Sequence, residues 1–335
     1  MVEYHADLKQ VQSDAQLCAL LGEGVQSAPF DRLAWWQGLT EHCGVEPLLA
    51  VARDGEGVAV LPLRRSGAGY EALANWYSFR FRPIVSCGSD AAALLTAIAG
   101  SLAPRTRRLT LSGIASEDGS EKLLRCAFES AGWIVFSDVC DTNHILFVKG
   151  RNFIDYLASR PGTLRTTLRR KSGKVATQVL TQFDAAAWTD FEDVYQESWK
   201  PAEGTPEFLR SFAEAEGVAG RLRLGIARDE GSVVAAQLWT VEGDTAFIHK
   251  LAHREAAKAL SPGTVLSAAL FEHTIDRDEV ALIDFGTGDD PYKRDWMEQS
   301  RPRYRLQMLR PRHPGNWPII ARAFASRLAG RVNHG

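Results

Sequence analysis

Apolar positions along the chain follow two periods, and the order in which the periods alternate occurs twice. From residue 13 to 43 the spacing is helical, with Leu17, Leu20 and Leu21, then Leu33, Trp36 and Leu39, which predicts helices with one buried face. Two continuous apolar runs follow, Pro47-Leu48-Leu49-Ala50-Val51-Ala52 and Val58-Ala59-Val60-Leu61-Pro62-Leu63. They flank Asp54-Gly55-Glu56-Gly57, whose residues tolerate the backbone of a tight turn, so the pair reads as a hairpin. After it the pattern predicts an alanine-rich helix near 89–101, a strand at 108–113, a helix near 119–131 and strand from Trp133 to Phe147.

The second half opens with a helix over 151–160, broken at Pro161-Gly162, and a basic stretch with Arg165, Arg169, Arg170, Lys171 and Lys174. The spacing then predicts a strand at 175–183, helices near 187–199 and 206–216, and strands at 221–228, 232–241 and 245–253. A helix at 262–277 and strands at 280–285 and 303–310 complete it. Arg228-Asp229-Glu230-Gly231 matches Arg53-Asp54-Gly55-Glu56, each between two strands and after two helices, which implies a structural duplication. A length of 335 residues fits two domains. The expected division is 1–149, 150–312 and a basic tail at 313–335.

The order strand, two helices, three antiparallel strands, helix, strand, strand resembles the GNAT acyltransferase fold. Leu260-Ser261-Pro262-Gly263-Thr264-Val265-Leu266 and Ile283-Asp284-Phe285-Gly286-Thr287-Gly288-Asp289-Asp290-Pro291-Tyr292-Lys293 look like the bacterial branch associated with cellulose and other exopolysaccharides. That branch is also similar to the Fem-type aminoacyl transferases. The resemblance implies an α/β (α+β) protein of tandem GNAT-like folds, each a mixed, mostly antiparallel sheet flanked by helices. It implies an acyl-CoA such as acetyl-CoA as donor, no metal, and an amine or hydroxyl of a sugar or polysaccharide precursor as acceptor. Transfer RNA is the rival partner, contacted through Arg165 to Lys174, and a GNAT-fold regulatory binding protein without catalysis is the rival from another class.

The residues give these expectations chemistry. Ser261 suits a helix cap, Pro262 the first helical position, and Gly263 lets a ligand approach the backbone. A helix that starts this way, with Thr264 next, offers N–H groups to a pyrophosphate, and Lys293 is expected on the donor phosphates. Asp284 ends an apolar strand and is the candidate proton acceptor, its alternative being a turn cap. Tyr292, in the segment where the superfamily often uses a tyrosine, is the candidate acid for the departing thiolate. His249 and His253 have H-x-x-x-H spacing, yet on a strand they stand about 13 Å apart, too far for one metal. His249, deeper in its strand, is the one expected at the acceptor. Trp76, Tyr77 and Arg80 are expected at a sugar-binding or lipid-binding rim or at a packed seam.

Near-balanced charge, −2 overall, excludes a globally basic nucleic-acid binder. Scattered Cys18, Cys43, Cys87, Cys126 and Cys140 and a start without basic and apolar leader regions fit a cytoplasmic protein. After Glu298 the chain carries Arg301, Arg303, Arg305, Arg310, Arg312, Arg322, Arg327 and Arg331 and no acidic residue. This tail suits a helix docked on the protein, or one that contacts an anionic effector or places the protein at the periphery of the inner membrane.

Overall fold

The structure, a computed structural model, describes residues 1–67 and 69–332. It divides into two compact units, Met1–Asp141 with Pro302–Gly335, and Thr142–Arg301. In chain order the first half contains β1 (Val2–His5), α1 (Leu8–Val11), α2 (Ala15–Leu21), α3 (Leu33–Cys43), β2 (Pro47–Asp54), β3 (Gly57–Ser66), β4 (Gly69–Ala72), β5 (Ile84–Val85), α4 (Ala91–Leu102), β6 (Arg108–Ala115), α5 (Ser120–Ser130) and β7 (Ile134–Phe147). The second contains α6 (Phe153–Ala158), α7 (Gly162–Lys171), β8 (Ala176–Leu180), α8 (Ala185–Gln196), α9 (Pro206–Val218), β9 (Leu222–Asp229), β10 (Ser232–Glu242) and β11 (Thr245–His253), then α10 (Pro262–Asp276), β12 (Leu282–Thr287), α11 (Pro291–Trp296), β13 (Gln299–Leu309) and α12 (Trp317–Val332).

Both units are mixed sheets flanked by helices, and their strand plans coincide. In unit 1 the order is β1, β2, β3, β4, β6, β13, antiparallel except where β4 runs parallel to β6. In unit 2 it is β8, β9, β10, β11, β12, β7, antiparallel except where β11 runs parallel to β12. The predicted duplication is therefore present, but its final strands are exchanged. Arg303–Leu309 of β13 pair with β6 in unit 1, and Asn143–Phe147 of β7 pair with β12 in unit 2. The expected borders at 149 and 312 fail to anticipate this, because they were placed by sequence order whereas strand pairing assigns 142–149 to unit 2 and 302–312 to unit 1.

The exchanged strands meet matching irregularities. Between the pairs Leu111↔Leu306 and Ile114↔Tyr304, β6 has one residue more than its partner, and between Asp284↔Ile145 and Thr287↔Asn143, β12 has one more than its own. Each bulge contains a glycine in the left-handed region, Gly113 at φ 76° and Gly286 at φ 68°, a backbone that side chains with a Cβ rarely adopt. Leu111 and Asp284 thus occupy equivalent positions.

Packing follows the apolar pattern. In unit 1, Leu94, Leu95 and Ile98 of α4 join Leu61, Leu111, Leu306 and Met308 in one core. In unit 2, Val265, Leu266, Leu270 and Phe271 of α10 lie on the sheet with Phe153, Tyr156, Leu164 and Leu168. Gly225 of β9 lets α10 approach, since a Cβ there would stand 2.7 Å from Leu270 Cδ1. The basic stretch after Pro161 is itself a helix, α7, with Leu164 and Leu168 buried four residues apart. Pro161 precedes it as the cap residue, a position that it tolerates, and so starts a helix where the sequence suggested only a break.

Candidate active site

The strands of unit 2 part where β11 and β12 stop pairing. They are in register from Thr245↔Leu282 to Phe247↔Asp284, after which β12 bulges toward β7 and β11 continues to His253. Beyond the fork β11 has a bulge of its own. Trp239 faces Ile248 and Leu238 faces Lys250, which leaves His249 as the extra residue. A bulge re-aims backbone and side chain; here the His249 ring edges against Phe212, 5.1 Å between centroids, and Nε2 lies 2.8 Å from Thr240 Oγ1.

The start of α10 borders the same strand. Ser261 is left-handed, φ 54° and ψ 45°, and its side chain accepts no capping hydrogen bond, which corrects the expectation that it caps the helix: the hydroxyl is turned away by the backbone it adopts. Pro262 takes the first position, and the N–H groups of Gly263 and Thr264 are left without a side-chain cap. The turn is fixed from beneath. Gln237, fully buried, donates from Nε2 to Gly263 O (3.0 Å) and Ser267 Oγ (2.8 Å), while its Oε1 accepts from Trp239 Nε1 (2.9 Å). His253 closes one side, its Nδ1 3.5 Å from where a Cβ on Gly263 would sit, with its ring on Trp199 at 4.4 Å and its imidazolium disfavoured by burial.

Asp284 is 3% exposed and both its oxygens are occupied. Oδ1 accepts from Asn143 Nδ2 (2.7 Å) and Gly286 N (2.8 Å), and Oδ2 from Arg301 Nη2 (3.1 Å). Arg301 Nε also donates to Asn143 Oδ1 at 2.7 Å. The bond to Gly286 is the turn-capping geometry that the sequence offered as the alternative to proton transfer. Lys293, expected on donor phosphates, is instead 4% exposed with Nζ on Thr287 O (2.5 Å) and 5.4 Å from the Phe285 ring; helix α11 folds it back over the loop. Asp289 is held by Arg294 and by His144 Nε2 at 3.0 Å, which keep its carboxyl below the usual range. Tyr292 packs its ring on Phe285, 5.6 Å between centroids. Burial, then the Asp290 carboxylate, raises its phenol above the ordinary value, and its hydroxyl has no hydrogen-bond partner among the described residues. The phenol therefore stays protonated at neutral pH.

Sequence reasoning missed a second group. A cavity of about 480 Å³ lies between α8 and α9, walled by Trp188, Phe191, Tyr195 and Leu209 with Lys200 and Glu203 among its polar groups. Lys250, on β11 beside His249, pairs with Glu203 at 2.6 Å, and burial lowers Lys200 from its ordinary value. These residues belong to no motif, and only Lys250 lay within a segment singled out by its spacing.

The comparisons with known proteins fit this geometry. Residues 162–294 match the family model of the acetyltransferase (GNAT) domain. The second unit carries a GNAT-type acyltransferase fold. FemX is similar in structure, with TM-score 0.61 and 12% identity over 90% of this chain and 96% of that one. So is the C-terminal domain (DUF2156) of a protein assigned as lysylphosphatidylglycerol synthetase from Agrobacterium fabrum, with TM-score 0.58 and 13% identity over 91% and 93%. A tandem GNAT protein from the clavulanic acid biosynthesis pathway matches with TM-score 0.54 and 13% identity over 91% and 98%. At such identities the likeness is one of fold. No curated protein matches the chain.

Unit 1 has a fork of its own, where β4 ends while β6 continues, but different chemistry surrounds it. A groove of about 520 Å³ there is lined by Arg64, Glu71, Asn75, Trp76, Arg80 and Arg305, among others. Trp76 is 67% exposed. Tyr77 is not, at 4%, because its ring turns inward, and Arg80 is tied to Asp31 at 2.6 Å and Ser27 at 2.9 Å. The helix equivalent to α10 is α4, whose start is capped by the Asp90 carboxylate on Ala93 N. That cap fills an N–H and places negative charge where the GNAT unit leaves a free helix end.

Proposed function

We propose that the GNAT unit transfers an acyl group from an acyl-CoA, bound by its pyrophosphate at the start of α10, to an amine or hydroxyl acceptor. The observation that carries this reading is the uncapped, glycine-bearing start of α10 beside the fork of β11 and β12. Such a helix end attracts anions through free N–H groups and the macrodipole. The N–H groups freed along β11 by the fork and its bulge would polarise the thioester carbonyl. The acceptor attacks that carbonyl, the carbon–sulfur bond breaks, Tyr292 passes its phenolic proton to the thiolate, and the proton lost by the acceptor's N–H or O–H returns to the Tyr292 oxygen. Asp284, with both oxygens occupied, is assigned to holding the bulge rather than to proton transfer. The cavity between α8 and α9 suits an acceptor with an apolar portion. The further narrowing to a sugar or polysaccharide precursor rests on the sequence resemblance alone.

The test is calorimetry of acetyl-CoA with the wild type, Gly263→Ala and Gly263→Glu. The alanine Cβ meets only ordinary contact with His253, so that variant is expected to fold and bind. Glutamate at 263 puts negative charge against the phosphates, a contact of several kcal/mol when partly shielded from water, and affinity should fall by orders of magnitude. Unchanged affinity in folded Gly263→Glu would move the donor elsewhere.

One observation favours aminoacyl-tRNA as donor instead. Arg165, Arg169 and Arg170 of α7 are exposed and make no ion pair among the described residues, and Lys171 Nζ donates to Ala259 O (2.8 Å), two residues before Ser261. This places a basic helix face at the approach to α10. The same calorimetry separates the readings: a protein that ignores acetyl-CoA but binds tRNA in a steeply salt-dependent manner is an aminoacyl transferase.

A further inference from the structure

Many arginines in this protein have a carboxylate, among them Arg53, Arg64, Arg80, Arg151, Arg160, Arg223 and Arg303. One region of unit 1 gathers four that do not. Arg105, Arg107, Arg310 and Arg312 line a single open groove of about 410 Å³ with His313, no acidic residue lines it, and none of the four makes an ion pair among the described residues. Their remaining contacts leave the charge uncompensated: Arg105 lies over the Tyr4 ring at 4.1 Å, and Arg310 over the Trp133 ring at 5.3 Å with one N–H on Ala131 O.

The start of α12 is fastened to this groove. Asn316, 1% exposed, donates from Nδ2 to Arg107 O (2.8 Å) and Arg310 O (3.0 Å), and Trp317 Nε1 donates to Pro311 O (2.8 Å). With its polar edge occupied, the indole is still 59% exposed, and Phe324, seven residues on and hence on the same helix face, is 50% exposed although its ring touches Phe136 at 5.5 Å. Arg322 is exposed beside them. The side chains of Arg327 and Arg331, also part of the basic tail, lie outside the described residues.

We propose that this groove and the exposed face of α12 form a docking surface for an anionic phospholipid bilayer. Four unpaired guanidiniums match closely spaced lipid phosphates. The Trp317 and Phe324 rings form an apolar ridge that can enter the boundary between headgroups and acyl chains, as interfacial helices do. A soluble phosphate would satisfy the cations and leave this ridge in water, and a nucleic-acid backbone would use the charge alone. Among the described residues no helix is long and apolar enough to cross a membrane, so the contact is peripheral.

Sedimentation of the full chain with vesicles of phosphatidylcholine alone, or mixed with phosphatidylglycerol, tests the assignment. Recruitment should require the anionic lipid and reverse with salt. Arg107→Gln with Arg312→Gln should lower partitioning roughly 25-fold, since each basic residue near such a surface is worth about a factor of five, with circular dichroism unchanged. Arg105→Gln with Arg322→Gln, both on exposed side chains, repeats the test should the first pair disturb the fold. Trp317→Ser should weaken binding to vesicles but leave any retention on a phosphate column unaltered. Equal recruitment to neutral vesicles, displacement from anionic vesicles by stoichiometric RNA, or full partitioning of both arginine pairs would each overturn the proposal.

Discussion

Units 1 and 2 share a strand order, a parallel fork and a glycine bulge, yet differ at two positions, the start of the helix and the bulge beside the fork. At the helix that follows the third antiparallel strand, unit 1 has Asp90 capping Ala93 N, and unit 2 has Ser261 with no cap. At the bulge beside the fork, unit 1 has Leu111, buried in its core, and unit 2 has Asp284 bonded to Asn143, Gly286 and Arg301. The two copies therefore keep the same glycine bulge, while the charge at the helix start differs between them.

Exchanging residues between the units tests that contrast. The largest effect is expected from Asp284→Leu, which installs the residue of unit 1. It leaves Arg301 and Asn143 facing leucine, and loss of one partner from a largely buried pair costs about 3 kcal/mol, read as a lower midpoint of chemical unfolding. A midpoint within error of wild type would mean that the network contributes nothing. Next is Ser261→Asp, which puts a carboxylate beside the start of α10, as Asp90 does at α4. Competition of the new carboxylate with the donor pyrophosphate should weaken acetyl-CoA binding about tenfold, the effect of roughly 1.4 kcal/mol, while raising thermal stability slightly. Tighter binding would contradict the role given to the free helix end. The smallest change is Asp90→Ala. Loss of that cap should cost about 1 kcal/mol of stability, and one acetyl-CoA per chain should still bind, because α4 follows Ser89-Asp90 and lacks the Pro-Gly start. Two equivalents by calorimetry would show that the cap alone had kept unit 1 empty.

What the sequence could disclose followed from local rules. Hairpin turns, amphipathic helices and the Ser-Pro-Gly helix start are encoded in neighbouring residues, and the helix predicted at 262–277 is α10 at Pro262–Asp276. Pairings between distant segments are not so encoded. Trp133 to Phe147 reads as strand, and Ile134–Phe147 is one, but nothing in it says that Asn143 to Phe147 pair with β12. Lys293 is expected on the donor phosphates because the sequence pattern places no helix there, and α11 folds it inward. Gln237 sits in an apolar strand as an ordinary polar interruption, and its hold on Gly263 depends on a helix 26 residues further on. Likewise Ser261 carries the composition of a cap, and only its positive φ shows why it does not act as one.

The exchanged strands bear on how the chain matures during synthesis. When residue 141 leaves the ribosome, unit 1 still lacks the strand that pairs with β6 from Arg303 to Leu309, so that edge of β6 stays unpaired until those residues too have been translated. An unpaired edge invites wrong partners, and contacts between residues almost 200 positions apart form slowly. Neither half of the gene, expressed alone with a break near residue 150, would encode its own unit's full set of strands: the first half would end in a strand that pairs in the other unit, and the second would begin without the one it needs. The exchange thus makes the sheet of each unit depend on a strand encoded in the other half of the sequence.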